Sequence, residues 1–311
     1  MRLAAVTGAT GFLGRRLVAA LAADGWTVRA LVRRDPLRAA PTGVEPQIVI
    51  GDLSEAAGLD RLCRGADVLI HAAGLIKAAR SADFAAANVE GARRVAEAAE
   101  RQGVPRMVLV SSLAAREPQL SAYAASKRAG EGAAAEVLGP RLSIVRPPAI
   151  YGPGDVETLP VFEAARRLPV MPVFDSRARI AMIHVEDAAR QIAAAAARPP
   201  ERPLVALSDS RPDGYGWVEI AEAAARAVGR TPRLVRLPSA ALAAAGWLGA
   251  VQRPCGGNPL LTPGKSREMR HLDWSLTAEE RWATAPAARF DLAKGFADTV
   301  AFWRVAGKRL S

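Results

Sequence analysis

The feature that most constrains this chain is a glycine-rich segment near its start, residues 7–14 (TGATGFLG). An apolar run, 3–6, precedes it and a helix-like segment, 15–21, follows it, so the pattern predicts a strand, a tight turn and a helix. In such a turn Gly8 permits the sharp bend, Gly11 lets the backbone approach a diphosphate, and Gly14 lets the helix pack close to the strand. The helix N-terminus offers free N–H groups to phosphates, so the segment predicts a dinucleotide site. Its spacing, G-x-x-G-x-x-G, is one residue longer in the first gap than the general fingerprint.

Apolar runs alternate with helical segments over the first half of the chain. The runs predicted as strands are 3–6, 26–32, 48–50, 67–70, 106–110 and 141–145, and a long helix is predicted over 83–102. This alternation predicts an α/β fold of Rossmann type, a doubly wound parallel sheet with right-handed crossovers. Beyond residue 150 the rhythm is lost. We therefore expect a dinucleotide-binding domain over 1–150 and a smaller C-terminal substrate-binding domain over most of 151–311, with 180–207 returning to the first domain.

Composition narrows the function classes. The chain has 311 residues, half of them apolar, and a formal net charge of +11. That charge would suit nucleic acid or a membrane surface, but the arginines are spread along the chain without an aromatic-interleaved basic cluster. We therefore expect a solvated arginine-rich surface and no nucleic-acid partner.

Cysteine usage and apolar windows bear on the location. Cys63 and Cys255 have no metal-ligand spacing, so we expect no metal site and a reducing, cytoplasmic location. The longest apolar windows, 192–197 and 240–251, are too short to span a bilayer. The N-terminal apolar stretch is broken by the turn glycines, so we do not expect a signal peptide.

The end of the second predicted strand bears on which dinucleotide is bound. An acidic residue there would bind the ribose 2′-hydroxyl of NAD, whereas arginine accommodates the 2′-phosphate of NADP. This chain has Val32 at that place, followed by Arg33 and Arg34. Their charge favours NADP, with NAD as the second choice; the alternative is two solvated arginines.

Two further strand ends predict contacts to the cofactor. Asp52 follows the third strand, where it is either an acceptor for the adenine amino group or a cap of the segment that begins at Ser54. The fourth strand ends in residues 71–74 (HAAG), small residues where a cofactor must pass close to the backbone. His71 itself is interpreted as structural.

A tyrosine and a lysine supply candidate chemistry. Tyr123 and Lys127 are four residues apart on a predicted helix, so they share one face. A lysine near a phenol lowers its pKa, and a phenol that exchanges its proton near neutral pH is a usable general acid and base. Ser112, at the end of the neighbouring strand, is placed to hydrogen-bond the substrate oxygen. This set suits hydride transfer between a nicotinamide and a carbinol carbon.

Taken in order, these motifs resemble the extended (or atypical) short-chain dehydrogenase/reductase family of NAD-dependent epimerase/dehydratase-like proteins. The segments that carry the resemblance are 7–14, 51–53, 71–74, 111–112, 123–127, 146–154, 183–189 and 295–304. The resemblance implies an NAD(P)-dependent oxidoreductase or epimerase acting on a secondary alcohol or ketone. Tyr123 would be the acid/base, Lys127 would hold the nicotinamide ribose and tune Tyr123, and Ser112 would polarise the substrate oxygen.

The same resemblance implies a cofactor site and an assembly. The residues expected to contact the cofactor are Gly8, Gly11, Phe12, Leu13, Gly14, Arg33, Arg34, Asp52, Leu53, Ala72, Ala73, Gly74, Tyr123, Lys127 and Pro147. Family members often pair through the helices that hold the Tyr/Lys pair, so we expect a homodimer.

Departures from the family pattern bear on the reaction. Sugar-nucleotide dehydratases carry an Asp-Glu pair just after the serine, where this chain has Leu113 and Ala114, so dehydration lacks its proton donor. Residues 112–115 and the nearby Tyr123 are more similar to bacterial relatives of the respiratory complex I accessory subunit, which bind NADPH. Two functions follow: an oxidoreductase or epimerase acting on a sugar nucleotide or an isoprenoid- or steroid-like ketone, and an NADPH-binding assembly or structural protein.

The C-terminal region leaves the substrate open. Four of its arginines, Arg177, Arg179, Arg233 and Arg236, could meet a diphosphate or lie at the surface. The apolar stretch 240–251, with Trp247, could line an apolar pocket but is more typical of a buried helix.

Overall fold

The fold is described from a computed structural model covering residues 2–34, 45–78, 80–252 and 261–307, with side chains of 248–252 excluded. Its strands are β1 Leu3–Thr7, β2 Thr27–Val32, β3 Gln47–Ile50, β4 Val68–His71, β5 Met107–Val110, β6 Leu142–Arg146, β7 Ala149–Tyr151, β8 Val170–Val173, β9 Arg179–Ile180, β10 Met182–His184, β11 Leu204–Ala206, β12 Arg233–Arg236 and β13 Asp273–Trp274. Its α-helices are α1 Phe12–Ala23, α2 Ala56–Cys63, α3 Ser81–Phe84, α4 Gly91–Arg101, α5 Ala122–Leu138, α6 Leu159–Arg167, α7 Val185–Ala197, α8 Trp217–Ala227, α9 Ser239–Gln252, α10 Pro263–Arg270 and α11 Leu292–Val305.

Within the described residues, seven strands form one parallel sheet in the order β11-β6-β5-β4-β1-β2-β3. Strands β4 and β5 are buried along their whole length, as a sheet covered on both faces requires. Strand order reverses at β1, and in an open parallel sheet the crevice outside the strand ends at this point holds the ligand. The predicted Rossmann-type fold class is confirmed.

Helices cover both faces of the sheet. On one face α1 and α7 contribute Leu17, Leu21 and Ile192 to a core with the sheet residues Val6 and Val108. On the other face α2, α4 and α5 contribute Leu59, Val95 and Leu138 to a second core. The positions of α7 and β11 show that residues 185–206 pack with the N-terminal sheet, because β11 pairs with β6 and α7 lies in the same core as α1.

The region after residue 150 builds a core of its own. Tyr151, Phe162 and Phe296 meet edge to face, with ring centroids 5.0 Å apart for each of the two contacts with Phe296. Two-stranded parallel sheets, β10 with β7, β12 with β8 and β13 with β9, frame this core. Lys77, in the loop after β4, pairs with Glu157 at 2.7 Å, so this region lies near the carboxyl ends of the large sheet. The crevice that this fold class has there, outside the ends of β1 and β4, is called here the cleft.

Two local predictions need correction. The helix predicted over 83–102 is helical from Ser81 to Arg101, but Ala85–Glu90 form a π-helix that separates α3 from α4. The apolar stretch 240–251 is a surface helix, because α9 is one-sided: Leu242 is buried, whereas the side chain of Trp247 is 72% exposed.

The structure also bears on the expectations about cysteines, membrane spans and metal sites. Cys63 is buried and free, while Cys255 lies outside the described residues. Within the described ranges, no helix has the length and hydropathy that crossing a membrane demands, and no cluster of His, Cys, Asp and Glu there is fit to hold a metal ion.

Candidate active site

The glycine-rich turn joins β1 to α1 at the centre of the sheet's carboxyl edge. Gly8 has φ +77°, and a Cβ added there would lie 2.6 Å from backbone atoms of Ala72 and Ala73. A Cβ on Gly14 would lie 2.0 Å from the carbonyl oxygen of Gly8. Both positions therefore exclude any side chain, so the concavity that this fold class has between the ends of β1 and β4 is bordered here by backbone alone.

The N-terminus of α1 opens into this concavity. Gly11 is the N-cap residue with extended backbone, its N–H donates to the Gly8 carbonyl at 3.0 Å, and no side chain in the described structure caps the helix. Phe12 and Leu13 are the first residues of α1, so their N–H groups belong to the uncapped turn. An uncapped helix start in a glycine-lined cradle fits the diphosphate of a dinucleotide.

Two arginines and an aspartate lie at the ends of β2 and β3. Arg33 and Arg34 are exposed. Asp52 accepts hydrogen bonds from the N–H and hydroxyl of Ser54 at 2.6 and 2.5 Å, which, with a smaller contribution from the charge of Arg33, hold its pKa below the usual value. Helix α2 has Glu55 as its N-cap, so Asp52 closes the turn before the helix and is not its cap residue. The cluster places positive charge at the rim where an adenosine ribose would lie.

The end of β4 is held by a buried histidine. His71 Nδ1 lies 2.6 Å from the hydroxyl of Thr7, and burial, with a smaller effect of Lys127, lowers its pKa to about 3. The imidazole is therefore neutral and structural, as the sequence predicted. It fixes the strand end from which Ala72, Ala73 and Gly74 line the concavity.

An asparagine that sequence reasoning did not assign connects this loop to α5, the helix that carries Tyr123 and Lys127. Asn88, buried in the π-helix, accepts from the Leu75 N–H at 2.8 Å and donates to the Leu75 carbonyl at 3.0 Å and to the Ser126 hydroxyl at 2.9 Å. A Cβ on Gly74 would lie 2.9 Å from the Asn88 oxygen. In the sequence, the indication of this role was one amide side chain, Asn88, within an alanine-rich helical segment.

Ser112, Tyr123 and Lys127 meet at the end of β5. Ser112 is the N-cap of the 3₁₀-helix Leu113–Arg116, where its hydroxyl accepts from the Ala114 N–H at 3.2 Å, and it lies close enough to Tyr123 to act on the pKa of the phenol. Tyr123 lies in the first turn of α5, and Lys127, one turn on, donates to the carbonyl of Val110 at 2.8 Å. The structure thus brings together the three residues that the sequence proposed for catalysis.

The protonation of the pair differs from the sequence expectation. Burial raises the pKa of Tyr123 to about 12; the hydrogen bond to Ser112 opposes the rise and the charge of Glu268 adds to it. Burial lowers the pKa of Lys127 to about 8. The expectation that Lys127 brings the phenol towards neutral pKa was wrong for this geometry, because the ammonium group is directed to the Val110 carbonyl. The phenol is protonated at neutral pH and can act as a proton donor.

A buried ion pair anchors α5 to the sheet. Arg146, at the end of β6, donates to both carboxylate oxygens of Glu131 on α5 at 2.8 and 2.7 Å, and each side chain is only 4% exposed. Glu131 also accepts from the Ser111 hydroxyl at 2.5 Å, and Arg146 lies 3.4 Å from Glu280. Next to it, the carbonyl of the buried Pro147 accepts from the Leu113 N–H at 2.8 Å. These contacts fix α5 relative to the 111–113 turn.

A carboxylate from the C-terminal region approaches the tyrosine. Glu268 on α10 is buried, accepts from the hydroxyl of Ser121, the N-cap of α5, and lies 3.2 Å from the ammonium group of Lys265. No sequence pattern indicates this contact, because 145 positions separate Glu268 from Tyr123. Leu53, by contrast, packs against α4 beside Gly91 rather than standing free in the cleft.

The four arginines that the sequence offers for a substrate diphosphate either bind neighbouring residues of the chain or are exposed to solvent. Arg177 pairs with Asp175 at 2.7 Å, and Arg179 donates to the Ala178 carbonyl at 2.9 Å. Arg233 and Arg236 are exposed on β12.

A dinucleotide cradle at the switch point of a parallel sheet, beside a serine, a tyrosine and a lysine at one strand end, defines the class of NAD(P)-binding oxidoreductases and epimerases. The sequence profile of the NAD dependent epimerase/dehydratase family matches residues 4–205, and the chain belongs to that family.

Individual relatives refine the comparison. The chain is 51% identical over 304 residues to the ceramide reductase of Caulobacter vibrioides, a match that covers 97% of this chain and 95% of the relative. It is 31% identical over 163 residues to the mitochondrial NADH dehydrogenase (ubiquinone) 1 alpha subcomplex subunit 9 of Dictyostelium discoideum, covering 49% of this chain and 44% of that protein. The solved structure of MoeE5 with UDP-glucuronic acid and NAD has the same fold, with a TM-score of 0.72, 20% identity and coverage of 98% of this chain and all of the other.

Proposed function

We propose that this protein is an NADPH-dependent reductase of a keto group on a ceramide-class lipid. The observation that carries the reductase assignment is the set of Ser112, Tyr123 and Lys127 at the end of β5, beside the glycine-rich turn. The lipid substrate rests on the ceramide reductase that resembles this chain over nearly the full length of both.

The chain's own residues have distinct tasks in this proposal. The dinucleotide, when bound, supplies the hydride to the carbonyl carbon. Ser112 donates a hydrogen bond to the substrate oxygen and holds it against Tyr123, and Tyr123 gives its proton to that oxygen as negative charge develops there. A pKa of about 12 keeps the proton on Tyr123 until the oxygen becomes the stronger base. Lys127 binds the nicotinamide ribose, with the backbone of 72–74 lining the path of the cofactor.

The preference for NADPH over NADH rests on the exposed Arg33 and Arg34 at the end of β2. Two guanidinium groups at that rim favour a 2′-phosphate. Isothermal titration with the four nucleotides tests this: Arg33→Ala should weaken NADPH binding about tenfold or more and leave NADH binding unchanged. Tighter binding of NADH than of NADPH by the unaltered protein would contradict the preference.

A direct assay separates the reactions open to this family. The purified protein is incubated with NADPH and the keto form of a short-chain ceramide, and the lipid is analysed by mass spectrometry for a gain of two hydrogens. A UDP-sugar is assayed in parallel for epimerisation. We expect reduction of the lipid and no change in the sugar; epimerisation without lipid reduction would contradict the proposal.

A second candidate, an NADPH-binding assembly protein, is favoured by the similarity of half the chain to the complex I subunit. It predicts that Tyr123→Phe leaves the protein's cellular role intact, whereas a reductase loses that role with its phenol. The sugar-nucleotide alternative has less support, since Arg177 and Arg179 are already engaged within the protein.

We also propose a cytoplasmic homodimer that pairs through α4 and α5. Ala125, Ala129 and Gly132 are exposed along α5, and such small residues allow close approach of a second helix. Light scattering should show a dimer that Ala129→Arg converts to a monomer. A monomeric unaltered protein would contradict this assembly.

A further inference from the structure

One surface of the C-terminal region combines exposed apolar side chains with exposed arginines. It consists of the outer face of the β8–β12 ribbon and the exposed side of α9, and is called here the apolar-basic face. Its exposed large apolar side chains are Leu168, Val170, Val235, Leu237 and Trp247. Trp247 stands out because 72% of it is exposed.

The register of the ribbon explains why these side chains face outwards. Val170 pairs with Arg233, and Val235 pairs with Pro172, so these residues share one face. The alternate residues Met171 and Val173 are buried in the core of the C-terminal region. The outer face is therefore apolar by sequence and is not covered by another element in the described structure.

Helix α9 follows β12 after Leu237 and Pro238 and carries no charged residue, as its sequence SAALAAAGWLGAVQ shows. Its inner side packs on α10, where the Ser266 hydroxyl donates to the Leu242 carbonyl at 2.7 Å and a Cβ on Gly246 would lie 2.7 Å from Ser266. Ala240, Ala244, Ala245 and Trp247 are left exposed on the other side.

The charge around this surface is mostly basic, with Asp175 at the base of the face close to Arg236. Between Glu222 and Glu268 the sequence contains no aspartate or glutamate. The cations in that interval are Arg226, Arg230, Arg233, Arg236, Arg253, Lys265 and Arg267. Arg230, Arg233 and Arg236 are exposed beside the ribbon. An apolar surface with an amphipathic indole and a rim of arginines matches the boundary between the headgroups and acyl chains of an anionic bilayer.

The face is also linked to the candidate active site through α10. Helix α9 packs on α10, and Glu268 of α10 contacts Ser121, which caps the helix that carries Tyr123. Two cavities of about 300 and 180 Å³ lie at the base of the face; Phe174, Asp175 and Ser239 line both, and Leu242 and Met269 line the smaller. An element seated on a membrane here would place bilayer lipid close to the cleft.

We infer that the apolar-basic face docks reversibly on an anionic lipid bilayer and that α9 is the element through which lipid substrate passes from the bilayer to the cleft. The docking part rests on the surface alone. The passage of substrate rests on the proposed lipid reductase function.

Vesicle binding tests the docking. The full chain is sedimented with phosphatidylcholine vesicles that contain or lack phosphatidylglycerol. We expect binding only to the anionic vesicles, weakening with salt. Arg230→Gln/Arg233→Gln should lower the partition coefficient about 30-fold, at roughly fivefold per arginine, and Trp247→Ala about tenfold. The matched control Arg64→Gln/Arg198→Gln removes two exposed arginines from the opposite edge of the sheet and should bind as the unaltered protein does.

Quenching by brominated lipids gives a second, local measurement. Trp247 is far more exposed than the buried Trp26, Trp282 and Trp303, so its fluorescence should account for the quenched signal, and Trp247→Phe should remove that quenching. Absence of vesicle binding, or equal binding by the face variants and the control, would overturn the inference. So would a change of the face variants from dimer to monomer without change in vesicle binding, since the face would then be an interface between copies.

Enzyme assays distinguish failure of the docking from failure of the proposed function. With a short-chain, water-soluble keto lipid, the face variants should turn over as fast as the unaltered protein; with the long-chain lipid in anionic vesicles, their rate should fall about tenfold or more. Turnover of both substrates without vesicle binding refutes docking and leaves the reductase standing. Vesicle binding without turnover of either substrate refutes the reductase and the passage of substrate and leaves docking standing.

Discussion

Breaking the buried ion pair between Glu131 and Arg146 should lower the free energy of unfolding far more than breaking an exposed pair on the same helix. Glu131→Gln keeps the shape of the side chain but removes its charge and turns one of its two acceptors into a donor facing the guanidinium group. Arg146 would be left with Glu280 at 3.4 Å, and Glu280 is already shared with Arg116 at 3.0 Å. Removing one partner of a buried pair lowers the free energy of unfolding by about 3–5 kcal/mol. Because Glu280 still faces Arg146, we expect a loss near the lower end, about 3 kcal/mol.

Urea denaturation followed by circular dichroism measures this cost. With an m value near 3 kcal/mol/M, the midpoint should fall by about 1 M. The matched control is Glu136→Gln, also on α5, whose pair with Arg93 has the same kind of contact at 2.8 Å but a glutamate that is 67% exposed. The control should lose about 0.5 kcal/mol or less. Equal losses in the two variants, or a loss below 1 kcal/mol for Glu131→Gln, would refute the reasoning.

Three further outcomes are expected. Gly8→Ala should abolish NADPH binding in a titration and lower stability by about 2–4 kcal/mol, because φ +77° is combined with backbone atoms 2.6 Å from the new Cβ; Gly25→Ala, at φ +79° with nothing within 4 Å, should cost only about 1 kcal/mol and bind normally. His71 has a folded pKa of about 3, so the stability that it contributes is complete above pH 6.5 and is lost as the pH falls; unfolding at pH 5 compared with pH 7 should show a loss of about 2 kcal/mol that His71→Asn removes, and an unchanged pH dependence in that variant would contradict the assignment. Lys127, with its pKa lowered to about 8, makes folding less favourable while it is charged, so stability should rise from pH 8 towards pH 10.5 in the unaltered protein, and a similar rise in Lys127→Met would exclude Lys127 as its source.

The sequence predicts the sheet and the cofactor cradle well, because both depend on local patterns. Apolar runs with short turns mark the strands, and Gly8, Gly11 and Gly14 mark the turn directly. Ser112, Tyr123 and Lys127 also lie in short motifs that follow one another along the sequence. These features need no knowledge of distant contacts.

The remaining features depend on contacts between residues far apart in the chain. Asn88 meets Ser126 across 38 positions, and Glu268 meets Ser121 across 147. The pKa of Tyr123 depends on burial and on where Lys127 points, and neither follows from a four-residue spacing. The outward side of α9 was misjudged for the same reason: an apolar pattern does not reveal whether another element covers it.

The most direct test of the central claim follows deuterium from NADPH labelled on the nicotinamide ring into the keto form of a short-chain ceramide. The unaltered protein should transfer one deuterium to each reduced lipid. Tyr123→Phe should bind NADPH with unchanged affinity but lower kcat by about a hundred- to ten-thousand-fold. Deuterium transfer by Tyr123→Phe at the unaltered rate, or no transfer by the unaltered protein to any lipid ketone, would contradict the account.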